Sequence, residues 1–217
     1  MKLLLQCRRV FVPVVLMLLS ISVGAAEFSL VVKDTKGNLQ SDAVVALVPV
    51  QKNQYTDTPT VVIDQIDKQF VPGVMAVRVN TLVRFPNSDD IRHHVYSFSP
   101  AKKFELRLYH GMTAEPVLFD KPGTVVLGCN IHDSMVGYIF VVDTPYFAVA
   151  DAQGMARISQ VPAGKYQLEI YHPRMNSNYP VSSVQLTENE TKQDLRVLDN
   201  LSEAKTSKLD DEFSDLF

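Results

Sequence analysis

A chain of 217 residues is long enough for one large domain or two small ones. Hydrophobic residues make up 46% of it and charged residues 21%, an ordinary globular balance that argues against wholesale disorder, collagen-like repeats or a coiled coil. A net charge of −3 leaves no electrostatic footprint for nucleic acid, and 2 cysteines cannot build a disulfide-dense scaffold.

The chain opens with Lys2, Arg8 and Arg9 and no acid, continues with an apolar run over 10–23, and reaches the small residues Gly24-Ala25-Ala26. That order is the pattern of a secretory signal peptide, so residues 1–26 are assigned to one, cut near Ala26. An uncleaved anchor is the alternative, but the run is short and broken by Pro13, Ser20 and Ser22. The expected location is therefore periplasmic or secreted, with no stable membrane span after cleavage. Cleavage would remove three bases and no acid, taking the net charge from −3 to −6. It would also remove Cys7 and leave Cys129 as the one thiol in an oxidising compartment. A lone thiol there has to be buried, paired between chains, catalytic or bound to metal.

From residue 28 onward the sequence reads as strands. Residues 28–32 and 43–48 are β-rich and flank the turn signal Asp34-Thr35-Lys36-Gly37-Asn38. A polar loop over 51–59 precedes expected strands at 60–66, 74–79 and 81–85. His94, Tyr96 and Phe98 alternate with His93, Val95 and Ser97, and Phe104, Leu106 and Leu108 alternate likewise. The nearly continuous apolar runs over 124–129 and 136–142 predict strands buried on both faces. Further strands are expected at 156–158, 166–171 and 182–186, and no helical stripe occurs before residue 200. The fold class is therefore all-β sandwich. Residues 201–217 are acidic and read as a mobile tail with no assigned function.

The chemistry concentrates in residues 128–137, Gly-Cys-Asn-Ile-His-Asp-Ser-Met-Val-Gly, which space Cys129, His132 and Met135 three apart and three apart again. Upstream, His93 and His94 begin a strand. Two imidazoles and a thiolate with a weak axial thioether form the ligand set of blue copper sites. Val125, Leu127 and Cys129 share one strand face, so the thiol points inward, and the short loop returns His132 and Met135 to the same place. Singly, each residue has an ordinary role: Cys and Met as packing, His as a surface or hydrogen-bonded group. Together they favour metal, with copper preferred over zinc. Zinc stays open through Asp133, and a catalytic Cys–His pair is a weaker option because no substrate site is apparent.

Residues 124–142 resemble the metal loop of the small blue copper proteins, the cupredoxins, and the Cys-x-x-His-x-x-Met spacing is most similar to that of amicyanin. Residues 70–142 are similar to the plastocyanin-like domains of exported bacterial proteins of the methylamine-utilisation type. His93-His94-Val95-Tyr96-Ser97 stands where such domains commonly carry His-Asn-Val-Phe-Ser. The resemblance implies a Greek-key cupredoxin sandwich over 56–143, with His93, Cys129, His132 and Met135 around one type 1 copper. It puts His94 at an Asn position that pegs the ligand loops, where it serves as a hydrogen-bonding group or competes with His93. It also implies that His132 lies toward the surface, at the edge where electrons enter.

The flanks resemble a carboxypeptidase-regulatory-like, transthyretin-type β-sandwich. Residues 31–49 are similar to its opening strands, and residues 147–171 contain its Gly turn at Gly154 and the Pro162-x-Gly164-x-Tyr166 pattern. The expected organisation is a second small sandwich formed by 27–50 and 144–200, with the cupredoxin domain between. His110 and His172 are read as non-ligands.

The expected function is that of an exported mononuclear copper protein, not an enzyme, passing one electron to or from a redox protein partner. A periplasmic copper chaperone, store or sensor would use the same ligands. A binding module with a structural metal is the third possibility.

Overall fold

Phe28, Leu30 and Val32 recur at every second residue, so one face of the first strand is apolar and all three side chains are buried. The same rule builds the rest of the computed structural model, which describes residues 24–51, 55–112, 115–175 and 179–203. The expected signal segment up to residue 23 and the acidic tail from 204 lie outside the described residues. In chain order the strands are β1 (Ala25–Asp34), β2 (Val44–Pro49), β3 (Thr60–Val62), β4 (Asp64–Ile66), β5 (Gln69–Val71), β6 (Val74–Arg78), β7 (Thr81–Arg84), β8 (His93–Ser99), β9 (Lys102–Tyr109), β10 (Val117–Phe119), β11 (Gly123–Gly128), β12 (Val136–Val142), β13 (Phe147–Val149), β14 (Met155–Pro162), β15 (Gly164–Tyr171), β16 (Val181–Leu186) and β17 (Thr191–Leu198). No helix occurs among the described residues, so none is long and apolar enough to cross a membrane. The fold is all-β.

Two hydrophobic cores divide these strands. Sheets β14-β1-β17 and β13-β2-β15-β16 enclose the first, which contains Phe28, Leu30, Leu47, Leu168 and Ile170. β2 pairs antiparallel with β15, Val45 opposite Ile170 and Leu47 opposite Leu168, although residues 51–143 lie between the two segments expected at 27–50 and 144–200. β1 begins at Ala25, and Ala26, fully buried, sits opposite Val161. The second core lies between sheets β10-β7-β3 and β6-β12-β11-β8-β9 and contains Phe85, Val95, Leu127, Ile139, Cys129 and Met135.

The join between the two cores explains a departure from the sequence pattern. β11 alternates instead of being buried on both faces: Val125 and Leu127 are buried while Val126 between them is 41% exposed. β12 does bury its C-terminal half on both faces. Ile139 and Val141 enter the second core, whereas Phe140 and Val142 are buried outside both cores, as are Val44 and Ala46. These four occupy the strands that touch where β12 meets β2, and the Phe140 ring tilts against Tyr171 at 5.6 Å between centroids. Tyr179 extends the seam through a 2.6 Å hydrogen bond with Thr124. The stretch expected as one strand over 60–66 divides at Ile63, since β3 pairs with β7 and β4 with β5. β17 has no apolar alternation to announce it; it is an edge strand that pairs parallel with β1.

His172 directly follows β15 and is buried. Its Nε2 donates to the Ser41 carbonyl at 3.2 Å, and its Nδ1 accepts from the Arg174 N–H at 3.1 Å. Burial first, and then the Arg174 cation, push its pKa below the ordinary value of 6.5, against the opposing pull of the Ser41 carbonyl and Asp42. The folded chain thus resists a proton that the unfolded chain accepts. His172 contributes stability above the unfolded value near pH 6.5, and this is lost as the pH falls below it. Urea unfolding at neutral pH and at pH about 5 should show a loss of stability that is smaller in His172→Gln, which has no proton to take up.

Candidate metal centre

β8 and β11 carry two of the expected donors because both end at one pole of the second core. Alternation along β11 sends Val125 and Leu127 inward, and Cys129, one step past the strand, follows them and is 3% exposed. The loop from Cys129 to Met135 is closed by the Met135 N–H on the His132 carbonyl at 2.9 Å, which turns His132 back toward the thiol. Gly128 lets Tyr96 lie across the backbone just before the thiol, since a Cβ there would meet the Tyr96 ring at 2.8 Å.

His93 enters from β8. A register shift between His93 and Val95 puts His93 opposite Tyr109 and Val95 opposite Leu106, so both point inward. His94 turns the other way: its Nε2 is 3.1 Å from a Glu105 carboxylate oxygen, without hydrogen-bond alignment, and its ring tilts on Tyr96 at 5.7 Å. His93, Cys129 and His132 therefore stand together, their donor atoms all within 4.8 Å of one another, and His94 stands apart. Cys129 Sγ is 3.9 Å from His93 Nδ1 and 3.8 Å from His132 Nδ1. Metal–sulfur and metal–nitrogen bonds of about 2.3 and 2.0–2.1 Å, opened to a trigonal angle, put sulfur and nitrogen about 3.8 Å apart. The donors are thus spaced for a shared cation, and a soft thiolate with two imidazoles suits copper.

Burial differs among the three. His93 is wholly buried and Cys129 nearly so, while His132 is half-buried beside the exposed Ile131. Met135 is 1% exposed and belongs to the same core as Cys129, at the far end of the loop. Asp133 is exposed and does not join the cluster of His93, Cys129 and His132. Neither His110 nor His172 joins it.

Behind the donors lies a polar layer that reading the sequence for ligand types did not single out. Asn87 Nδ2 donates to the Ile91 and Tyr109 carbonyls, each at 2.8 Å, and its backbone exchanges hydrogen bonds with Gly111. Asp89 Oδ2 is 2.6 Å from His93 Nε2. Burial raises the Asp89 carboxyl, but the Lys68 amide, His93 and the Asp67 amide together outweigh it and hold the pKa below 3.8. Tyr109 donates to the Phe85 carbonyl at 2.6 Å and accepts from Gln65. Burial, aided by nearby Asp64 and Cys129 and opposed by Gln65, pushes its phenol up to about 12. An Asn and an Asp six and four residues before a histidine, in the turn-prone run Asn87-Ser88-Asp89-Asp90, are the signal that was available.

No protein-family model matches the chain, and no curated protein does. Part of the chain is similar to solved structures. A purple cupredoxin from Nitrosopumilus maritimus is 19% identical, with a TM-score of 0.34, over 39% of this chain and 99% of its own. An amicyanin mutant in the reduced state is 21% identical, with a TM-score of 0.35, over 38% and 82%. A pseudoazurin from Sinorhizobium meliltoi is 20% identical, with a TM-score of 0.32, over 39% and 75%. A copper-containing nitrite reductase from Thermus scotoductus is also similar, 26% identical with a TM-score of 0.37 over 45% of this chain and 25% of its own.

Asn87, itself buried, ties the loop before His93 to β9 through the part-buried Ile91 and Tyr109 carbonyls. Asn87→Ala strands the Tyr109 carbonyl without its donor, and should lower the free energy of unfolding by about 1–3 kcal/mol in urea titration of the metal-free protein.

Proposed function

We propose that this chain is an exported mononuclear copper protein that carries single electrons to or from a redox protein partner. The observation that carries the reading is the convergence of His93, Cys129 and His132 donor atoms within 4.8 Å at one end of a β-sandwich core. Cys129 as thiolate, His93 and His132 would hold the metal, and Met135 would add a weaker thioether donor. Copper in such a set supplies a one-electron couple, Cu(I) to Cu(II).

The protein's own part is rigidity and access. His93 is fixed by its place in β8 and by Asp89, and Cys129 by the end of β11, so the donors have little freedom to rearrange as charge changes. The half-buried His132 is the donor nearest to solvent, and we assign the partner-facing edge to it. Carriage of electrons without a substrate makes the chain a carrier rather than an enzyme. The copper domain we propose spans 56–143. A second sandwich built from 27–50 and 144–200 carries it, supported by the common core that draws on both of those segments. Export to the periplasm or beyond rests on the segment 1–26, and it matches a lone, buried thiol at Cys129.

Loading the purified chain with Cu(II) should produce an intense visible thiolate charge-transfer band. Cys129→Ser should abolish the band while leaving the far-ultraviolet circular dichroism of the β fold unchanged; a mutant that keeps the band excludes Cys129 as a ligand. Copper that exchanges freely to a Cu(I) chelator and does not cycle would replace the carrier reading with a chaperone. Met135→Gln should retain copper and lower the potential, because an amide oxygen favours Cu(II), whereas Met135→Leu should raise it by removing a donor. Voltammetry at full copper occupancy that shows no movement in either variant would make Met135 core packing alone.

A further inference from the structure

Asp89 supplies no donor to the cluster of His93, Cys129 and His132, yet it governs which nitrogen His93 offers there. Its Oδ2 is 2.6 Å from His93 Nε2 and also accepts from the Lys68 N–H at 2.9 Å. Its Oδ1 accepts from the Asp67 N–H at 2.6 Å. An ionised carboxylate can only accept, so His93 Nε2 carries the proton. Nδ1, which faces Cys129 Sγ at 3.9 Å, is left with a free lone pair.

The two amides that hold Asp89 belong to the tight turn between β4 and β5. Asp67 and Lys68 there both have left-handed backbones, with φ of 53° and 59°, the successive positive angles of a two-residue hairpin turn. The hairpin has its own seat: a Cβ at Gly137 of β12 would meet the Phe70 ring at 3.0 Å, so the glycine lets Phe70 lie against the strand. Ser88 adds a hydrogen bond to Asp64 at 2.8 Å. The carboxylate is therefore fixed from one side by a rigid turn and aimed from the other at an imidazole.

We propose that Asp89, clamped by the β4–β5 turn, is a positioning residue that holds His93 in the one tautomer presenting Nδ1 to the metal. The metal half of the statement rests on the copper reading above; the tautomer half does not. A carboxylate behind a ligating imidazole orients the ring and raises its basicity, and its loss weakens metal binding by about 10–100-fold. The competing role is a plain fastener between the hairpin and the 87–91 loop, which would leave the imidazole indifferent.

The test uses the full chain with ¹⁵N-labelled histidine, metal-free, at a pH where the imidazoles are neutral. In the wild type, His93 should be the Nε2–H tautomer. In Asp89→Ala it should become a mixture of tautomers while His172 keeps its own, and Cu(II) affinity should fall by about 10–100-fold with an altered paramagnetic resonance spectrum. Asp89→Asn keeps the side-chain shape but cannot accept at all three contacts, so it should disturb the tautomer too; it decides the question if Asp89→Ala does not fold. Asp89→Glu, which restores the carboxylate, should recover part of the affinity. An unchanged His93 tautomer with copper affinity within about twofold of wild type, even if the Asp67 and Lys68 amides exchange faster, would reduce Asp89 to a fastener and overturn the proposal. A wild type that takes up no copper would sink the copper reading, and the tautomer arm would still decide what Asp89 does to His93.

Discussion

A thiol and an imidazole are buried side by side, 3.9 Å apart, at one pole of an apolar core. Neither makes a strong hydrogen bond to the other at that separation, and neither is placed against bulk water. Burying polar groups so is unfavourable unless something satisfies them, and on the proposed copper reading a cation shared with a second imidazole would do so. Much else in this half of the molecule follows from that constraint. The Cys129–Met135 loop is short because it must return His132 to the thiol, and the register shift in β8 exists where His93 has to face inward.

The donors are held by two kinds of support that differ physically. Cys129 is positioned by strand geometry: it continues the alternation of Val125 and Leu127, so its direction is set by the backbone. His93 gets its depth from β8 but its ring orientation from hydrogen bonds, through Asp89 and behind it the turn at Asp67 and Lys68. His132 has the least enclosure of the three. The site thus combines two buried donors with one half-buried donor, the burial pattern on which the proposed electron-carrier reading draws.

The second sandwich meets this half along β12. Phe140 and Val142 lie outside the core that contains Cys129 and are buried all the same, where β12 meets β2 and Phe140 lies against the Tyr171 ring. The strand that begins immediately after the Met135 loop is thus covered on the outer face of its C-terminal half by β2 and Tyr171. The loop between Cys129 and Met135 closes onto the start of that strand.

Several of these features were legible in the sequence. Period-two alternation located most strands, since a half-covered sheet demands it, and the spacing of Cys129, His132 and Met135 is short enough that the chain itself confines them to one place. The pairing of β2 with β15 was legible only through likeness of motif, because pairing between distant segments leaves no local trace. Tertiary structure alone decided the rest. It turned His93 inward to the Cys129 cluster and His94 toward Glu105, a choice that alternation leaves open and that only likeness of motif had favoured. It made β11 one-sided and the end of β12 two-sided, although both read as apolar runs, because burial depends on what covers a face and not on the face itself. It also brought Asp89 from a turn that looks like any polar loop to 2.6 Å from His93 Nε2. A hydrogen bond that aims a ligand depends on a few tenths of an ångström between segments far apart in the chain, and composition, spacing and periodicity carry no record of it.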